Sequence, residues 1–295
     1  MKRIFYLLLV LSFIFLFVFL LKQDIIIPKL PDAVWLIPSL VLLFTGFYAS
    51  TQSWRLALRS HGVKISHSRA IESHGLSVFA KYIPGKIWVI LGRASYIAAS
   101  KSDIKNYSFI SLKEQLIYTW LGFVISTVPT LIFYGFNWLP VAMILLIVLL
   151  TLFLFFKKVH DLGLLIFHRI FKLNIEIPFI NFRRSMPIIL STGLIWISWT
   201  LSFYFFIRIF TPMPEPVFAF SFPLSVCFGL LAIIFPGGLG VREGIIVGYL
   251  VLAGMETESA TTIAFFNRFA FIAGETFIFL LGAAIKIILR KRENS

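Results

Sequence analysis

Eight apolar stretches, each at least 18 residues long, run through this chain near 4–21, 33–51, 72–99, 108–134, 138–156, 187–209, 217–250 and 261–288. A helix needs about 20 apolar residues to cross a bilayer core, so the pattern dictates an all-α, polytopic membrane protein: one integral membrane domain over 1–295. Composition agrees, with only 14% charged residues and a mean hydropathy of +0.93. The first stretch follows Met1-Lys2-Arg3 as a signal peptide would. Its apolar run is too long for one and no small-x-small cleavage site follows, so it reads as a retained span.

The net charge of +14 does not point to nucleic acid, because the basic residues are scattered through the connections between apolar stretches. They concentrate at Lys2/Arg3, in 55–69 (Arg55, Arg59, Lys64, Arg69), at Lys101 and Lys105, in 157–185, and in the tail "LRKRENS". The positive-inside rule assigns these to the cytoplasm, beside anionic lipid headgroups. "KQDIIIPKLPD", "YGFNW", "TPMPEP" and "GMETES" carry less Lys and Arg and read as external. Both termini are then cytoplasmic, in a cell (plasma or inner) membrane. Within 157–185, "VHDLGLLIFHRIFK" reads either as an interfacial helix on an anionic leaflet or as a solvated linker.

These faces alternate only if 72–99 and 217–250 each enter and leave on one side. Each carries a Pro-Gly near its middle, where a hairpin would turn. At 28 and 34 residues, neither holds two full crossings. The expected architecture is six full spans plus two re-entrant Pro-Gly hairpins; one kinked helix per segment is the alternative. The hairpins also match each other. "YIPGKIWV" (82–89) and "IFPGGLGV" (234–241) share a frame, each follows a long span, and each precedes a span with a charge about thirty positions after the proline: Glu114 or Arg268. The halves, 33–134 and 187–288, start on opposite faces, which makes an inverted-topology internal repeat with broken helices meeting near the midplane, a transporter arrangement.

The candidate site gathers around the two breaks. Pro84, Gly85, Pro236, Gly237, Gly238 and Gly240 interrupt the helices, and backbone freed inside a membrane needs protein or a water-filled cavity to satisfy it. A helix starting near Gly238 would aim its first amides at the break and favour an anion there. Gly240, Gly244 and Gly248 recur on one helix face, suited to close packing. Lys81, Lys86, Arg93, Arg242 and Arg268 supply cations and Glu114 and Glu243 acids; Glu275 is a further ionisable group within or at the edge of an apolar stretch, outside the candidate site. Lys81 and Lys86 have the alternative of snorkelling to the surface, and Arg242 and Glu243 that of neutralising each other or a neighbour. An excess of cations suits a phosphate-bearing ligand, and arginine's fork suits it best. The chain's four aspartates lie in loops, its histidines lack paired-ligand spacing, and Cys227 is its single cysteine, so no metal or other cofactor is expected.

"AKYIPGKIWVILGR" and "FPGGLGVREG" resemble the transmembrane, flippase-like region of the lysylphosphatidylglycerol synthase family. The resemblance carries Lys81, Tyr82, Pro84, Gly85 and Arg93 onto the first motif. Pro236, Gly237, Gly238, Gly240, Glu243 and Gly244 fall on the second, and Glu114 and Arg268 on charged positions beyond. The family pattern places an Arg after the first-half Glu and an Asp soon after; Gln115 and Tyr118 stand there in this chain. The resemblance implies a stand-alone member without the aminoacyl-transferring synthase domain. It also implies a lipid flippase for a membrane phospholipid or polyprenyl-linked substrate with an anionic headgroup, passive or ion-coupled. The alternatives are an integral-membrane transferase with Glu114 or Glu243 as base, and a scaffold for a membrane glycosyltransferase or synthase partner.

Overall fold

A computed structural model describes residues 32–83, 87–172, 177–232 and 235–293; among them the chain is helical, with no strand. In chain order the helices are α1 (Leu36–Ser60), α2 (His67–Ser77), α3 (Ile87–Ser95), α4 (Lys101–Tyr134) and α5 (Trp138–Phe155). Then follow α6 (Lys157–Phe171), α7 (Phe182–Arg208), α8 (Ser221–Leu231), α9 (Val241–Leu252) and α10 (Thr257–Glu293). Five stretches are long and apolar enough to cross a membrane: Ala33–Ser60, Lys101–Tyr134, Trp138–Phe155, Phe182–Arg208 and Thr257–Lys291. They coincide with five of the six expected full spans; the sixth, 4–21, lies outside the described residues.

Polar residues set the helix starts. Ser100 and Asp103 exchange side-chain and backbone hydrogen bonds at the head of α4 (3.0 and 3.2 Å), closing a capping box. Asn137 and Asn181 accept from Leu139 and Arg184 amides at the heads of α5 and α7. The basic connection 157–171 is helical as α6, with Leu162, Leu165, Ile166 and Ile170 exposed beside Arg169.

The two Pro-Gly segments contain only short helices. α2, α3, α8 and α9 have 11, 9, 11 and 12 residues. At 1.5 Å per residue the longest spans about 18 Å, well short of the roughly 30 Å hydrocarbon core. A short 3-10 turn, Val78–Tyr82, leads α2 into the first break, and another, Pro236–Gly238, lies inside the second. Gly237, Gly238 and Gly240 take φ of 59°, 71° and 78°. Residues with a Cβ rarely adopt these values, so glycine permits the turn.

The same order of elements occurs twice: long helix, short helix, break, short helix, long helix. Exchanging α1 with α7, α2 with α8, α3 with α9 and α4 with α10 also maps the main helix contacts onto one another. α2 packs on α10 as α8 packs on α4; α1 meets α10 as α7 meets α4; α1 and α7 lie along each other. At that central pair Ser39 Oγ donates to the Ser202 carbonyl (2.9 Å) while Ser202 Oγ donates to the Ser39 carbonyl (2.8 Å). Trp199 lies in the middle, its indole donating to the Leu43 carbonyl (3.1 Å) and its rings against Phe47, Phe222 and Phe271.

Glycines at these crossings allow backbones to touch. A Cβ on Gly75 of α2 would strike the Ile278 carbonyl oxygen and come within 3.2 Å of Gly282 Cα on α10. On Gly122 of α4 it would strike Cys227 of α8. The expected packing stripe on α9 is different. A Cβ at Gly240, Gly244 or Gly248 would meet nothing within 4 Å among the described residues, so those glycines make no close helix crossing there. Gly75→Ala is therefore expected to destabilise the protein by about 1–3 kcal/mol through overpacking. Gly244→Ala, in open space on a helix, is expected to be neutral or to stabilise by up to about 1 kcal/mol. Thermal unfolding of the two purified variants in detergent measures the difference.

Candidate functional site

The two breaks touch. A Cβ on Gly237 would fall 2.6 Å from the ring of Tyr82, and Tyr82 packs with Leu239 across the junction. Residues 152 or more positions apart in sequence thus meet at one place, and charged residues from both halves, Lys81, Glu243, Arg268 and Glu275, lie around it.

Backbone groups opened by the second break are met by side chains. Arg268 of α10 directs Nη1 and Nη2 at the Gly237 carbonyl (3.4 and 3.3 Å). The Gly240 amide donates to Glu243 Oε2 (2.7 Å), and Glu243 Oε1 lies 3.6 Å from Arg268 Nη1. This corrects two expectations. α9 begins at Val241 rather than near Gly238, because Gly240 still holds a left-handed conformation. The anion at its N-terminus is the chain's own Glu243, which caps the helix and favours its positive end. Of the alternatives for Arg242 and Glu243, Glu243 takes a neighbour: its ion pair is with Arg268.

Lys81, at the end of the first-half turn, points inward rather than snorkelling. Its Nζ lies 2.5 Å from Glu275 Oε1. The Tyr82 hydroxyl donates to the other oxygen of that carboxylate (2.8 Å). Glu275, fully buried, is thus the acid that holds the first break to α10. Sequence reading counted it among the ionisable groups without placing it in the site. The available signal was its spacing, seven residues after Arg268 and hence on the same face of one helix.

Arg93 of α3 forms a second closed set. It pairs with Glu114 of α4 (2.7 Å), donates through Nε to Ser111 Oγ (2.5 Å) and through Nη2 to the Ser111 carbonyl (3.0 Å). Its guanidinium also lies 4.5 Å from the centre of a Trp54 ring. Ser111 and Trp54 carried no sequence signal, being an ordinary serine and tryptophan in apolar runs. Pro84, Gly85 and Lys86 lie outside the described residues.

Arg242 is different from these three cations. Only 6% exposed, it extends from α9 between Gly229 and Gly238, where a Cβ on Gly229 would sit 2.6 Å from Arg242 Cγ. Its guanidinium lies over Phe271 (4.3 Å) and Phe222 (5.6 Å). Its Nε is buried without a hydrogen-bond partner, and among the described residues no carboxylate pairs with it. Among the described residues the expected general excess of cations therefore reduces to one uncompensated guanidinium, because Lys81, Arg93 and Arg268 are each matched by a carboxylate.

Arg242, Lys81, Arg93 and Glu114 line one cavity of about 170 Å³, together with Phe271 and Trp199. That volume is smaller than the roughly 300–1,000 Å³ of pockets that enclose whole ligands.

No curated protein and no solved structure matches the chain. The family model described as the lysylphosphatidylglycerol synthase TM region does match, over residues 4–282, nearly the full length. The resemblance carried by the two Pro-Gly motifs thus extends across both halves, and the chain belongs to the lysylphosphatidylglycerol synthase transmembrane-region family.

Proposed function

We propose that the protein is a lipid translocase that passes an anionic, phosphate-bearing headgroup through the cavity between the two breaks while the acyl or prenyl chains stay in lipid. The observation that carries this reading is Arg242: a buried guanidinium without a counter-ion among the described residues, on the wall of a cavity of about 170 Å³. A buried unpaired charge costs several kcal/mol, and a phosphate would give it the bidentate partner that arginine geometry suits. The intramembrane setting points the same way, since ionisable groups there mark pathways by default.

In this reading α2–α3 and α8–α9 are re-entrant hairpins dipping from opposite leaflets. Residues 33–134 and 187–288 are then inverted repeats, with 4–21 as a sixth span and both termini cytoplasmic. The interchangeable contacts of the two halves and the reciprocal Ser39–Ser202 bonds support a two-fold relation. Exposed leucines and isoleucines on α6, beside Arg169, support its lying on an anionic leaflet. Membrane lipid is the partner this reading requires, either a phospholipid or a polyprenyl-linked carrier made or used by a neighbouring synthase or glycosyltransferase.

Reconstitution in liposomes tests it. Purified protein is expected to accelerate transbilayer movement of fluorescent phosphatidylglycerol or polyprenyl phosphate. Arg242→Ala, which removes a charge-assisted contact of about 1.5–3 kcal/mol, is expected to slow it about 10- to 100-fold. No acceleration across a panel of anionic lipids would overturn the proposal, and a new lipid product would favour a transferase. Topology has its own test in a Cys227→Ala background. Glu256→Cys is expected to label with impermeant thiol reagents from outside, and Ser102→Cys only from the cytoplasmic face. Labelling of both from one face would break the opposed arrangement.

A further inference from the structure

His74 is a titratable group on the cavity wall that, like Arg242 and Tyr118, has no part in the ion pairs described above. His74 of α2 lines the cavity, and its Nε2 lies 3.0 Å from Ser50 Oγ of α1. The hydrogen-bond network assigns its tautomer. Ser50 spends its single hydroxyl proton on the Phe47 carbonyl (2.6 Å), so its oxygen must accept from His74 and the ring proton sits on Nε2. His74 Nδ1 is therefore a bare lone pair. It is buried and has no hydrogen-bond partner.

Its charged surroundings are defined from each side. Lys81 of the 3-10 turn and Arg93 of α3 act on it directly. Glu275 of α10 holds the first, and Glu114 of α4 holds the second. Arg242 of α9 lines the same cavity, and α1 contributes the Ser50 hydroxyl. On α2 itself Glu72 is turned to Arg69 (3.0 Å).

We propose that His74 is a proton-binding site coupled to the anion site, so that one anionic headgroup enters the cavity together with one proton, taken from water and bound at His74 Nδ1. This rests on the translocase reading and deepens it by naming the coupled ion. With the cavity empty, a proton on His74 adds a second uncompensated positive charge to an apolar space that already holds Arg242. With an anionic headgroup present, the two charges oppose and the new Nδ1–H gains a phosphate oxygen as acceptor. Each ligand then raises the affinity of the other by the same factor. Glu114 and Glu275 are poorer proton sites, because protonating either one releases Arg93 or Lys81 from its partner. His74 accepts a proton without breaking a pair, and its Nε2–H to Ser50 stays in place.

The test is calorimetric titration of the detergent-purified full chain with water-soluble dihexanoyl-phosphatidylglycerol between pH 5.5 and 7.5. Each point is run in two buffers of different ionisation enthalpy, to count protons. The probe stays a monoanion across this range, so a proton taken up belongs to the protein. Wild type is expected to take up close to one proton per probe bound, with affinity falling about tenfold per pH unit over part of the range. His74→Gln keeps a donor for Ser50 and is expected to bind more weakly, without proton uptake and with no pH dependence. Wild-type binding with no proton uptake overturns this proposal while leaving the anion site intact. Uptake that persists in His74→Gln also overturns it. Failure of wild type to bind any anionic probe overturns the anion site itself and this coupling with it.

Discussion

The constraint on which the rest of the structure depends is the need to satisfy broken backbone in an apolar layer. A carbonyl or amide released at a helix break costs several kcal/mol if lipid is its only neighbour. At Gly237 and Gly240 the partners are Arg268 and Glu243, which also approach each other. Charge thus holds the turn. Arg268 is buried and Glu243 half-buried, and the ring of Tyr82 packs against Gly237, so the turn that leads into the first Pro-Gly meets the second break.

From that junction the electrostatics follow. Each cation brought to the breaks must find an anion or remain an uncompensated charge. Lys81 finds Glu275, Arg93 finds Glu114, and Arg268 finds Glu243. Each half supplies one member of the Lys81–Glu275 pair, so this contact also fixes how the halves sit together. Arg242 gains only aromatic faces, worth about 2 kcal/mol when desolvated, which falls short of what an ion pair returns. A site so nearly neutral, with one charge in surplus, is suited to a ligand that comes and goes. A chamber lined by four bare cations would hold a phosphate too tightly to release it.

Much of this was legible in the sequence, for identifiable reasons. Long apolar stretches announce helices directly. The Pro-Gly pairs announce the breaks, since few residues tolerate the dihedrals found at Gly237 and Gly238. Which charges meet was not legible, because Lys81 and Glu275 lie 194 positions apart and only the tertiary fold pairs them. The same holds for His74, Ser50 and Trp54, whose roles arise from neighbours on other helices. The glycine row at the start of α9 shows the converse: regular spacing suggested packing, yet among the described residues a Cβ there would meet nothing within 4 Å, while Gly75 and Gly122, which belong to no motif, lie at tight crossings.

The most direct measurement is an experimental structure of the protein in nanodiscs rich in phosphatidylglycerol. The expected result is two helix breaks meeting within the hydrocarbon layer, with headgroup phosphate density within hydrogen-bond reach of the Arg242 guanidinium. Straight helices carried through both Pro-Gly positions, with Arg242 facing bulk water and phosphate confined to the two leaflet surfaces, would contradict it.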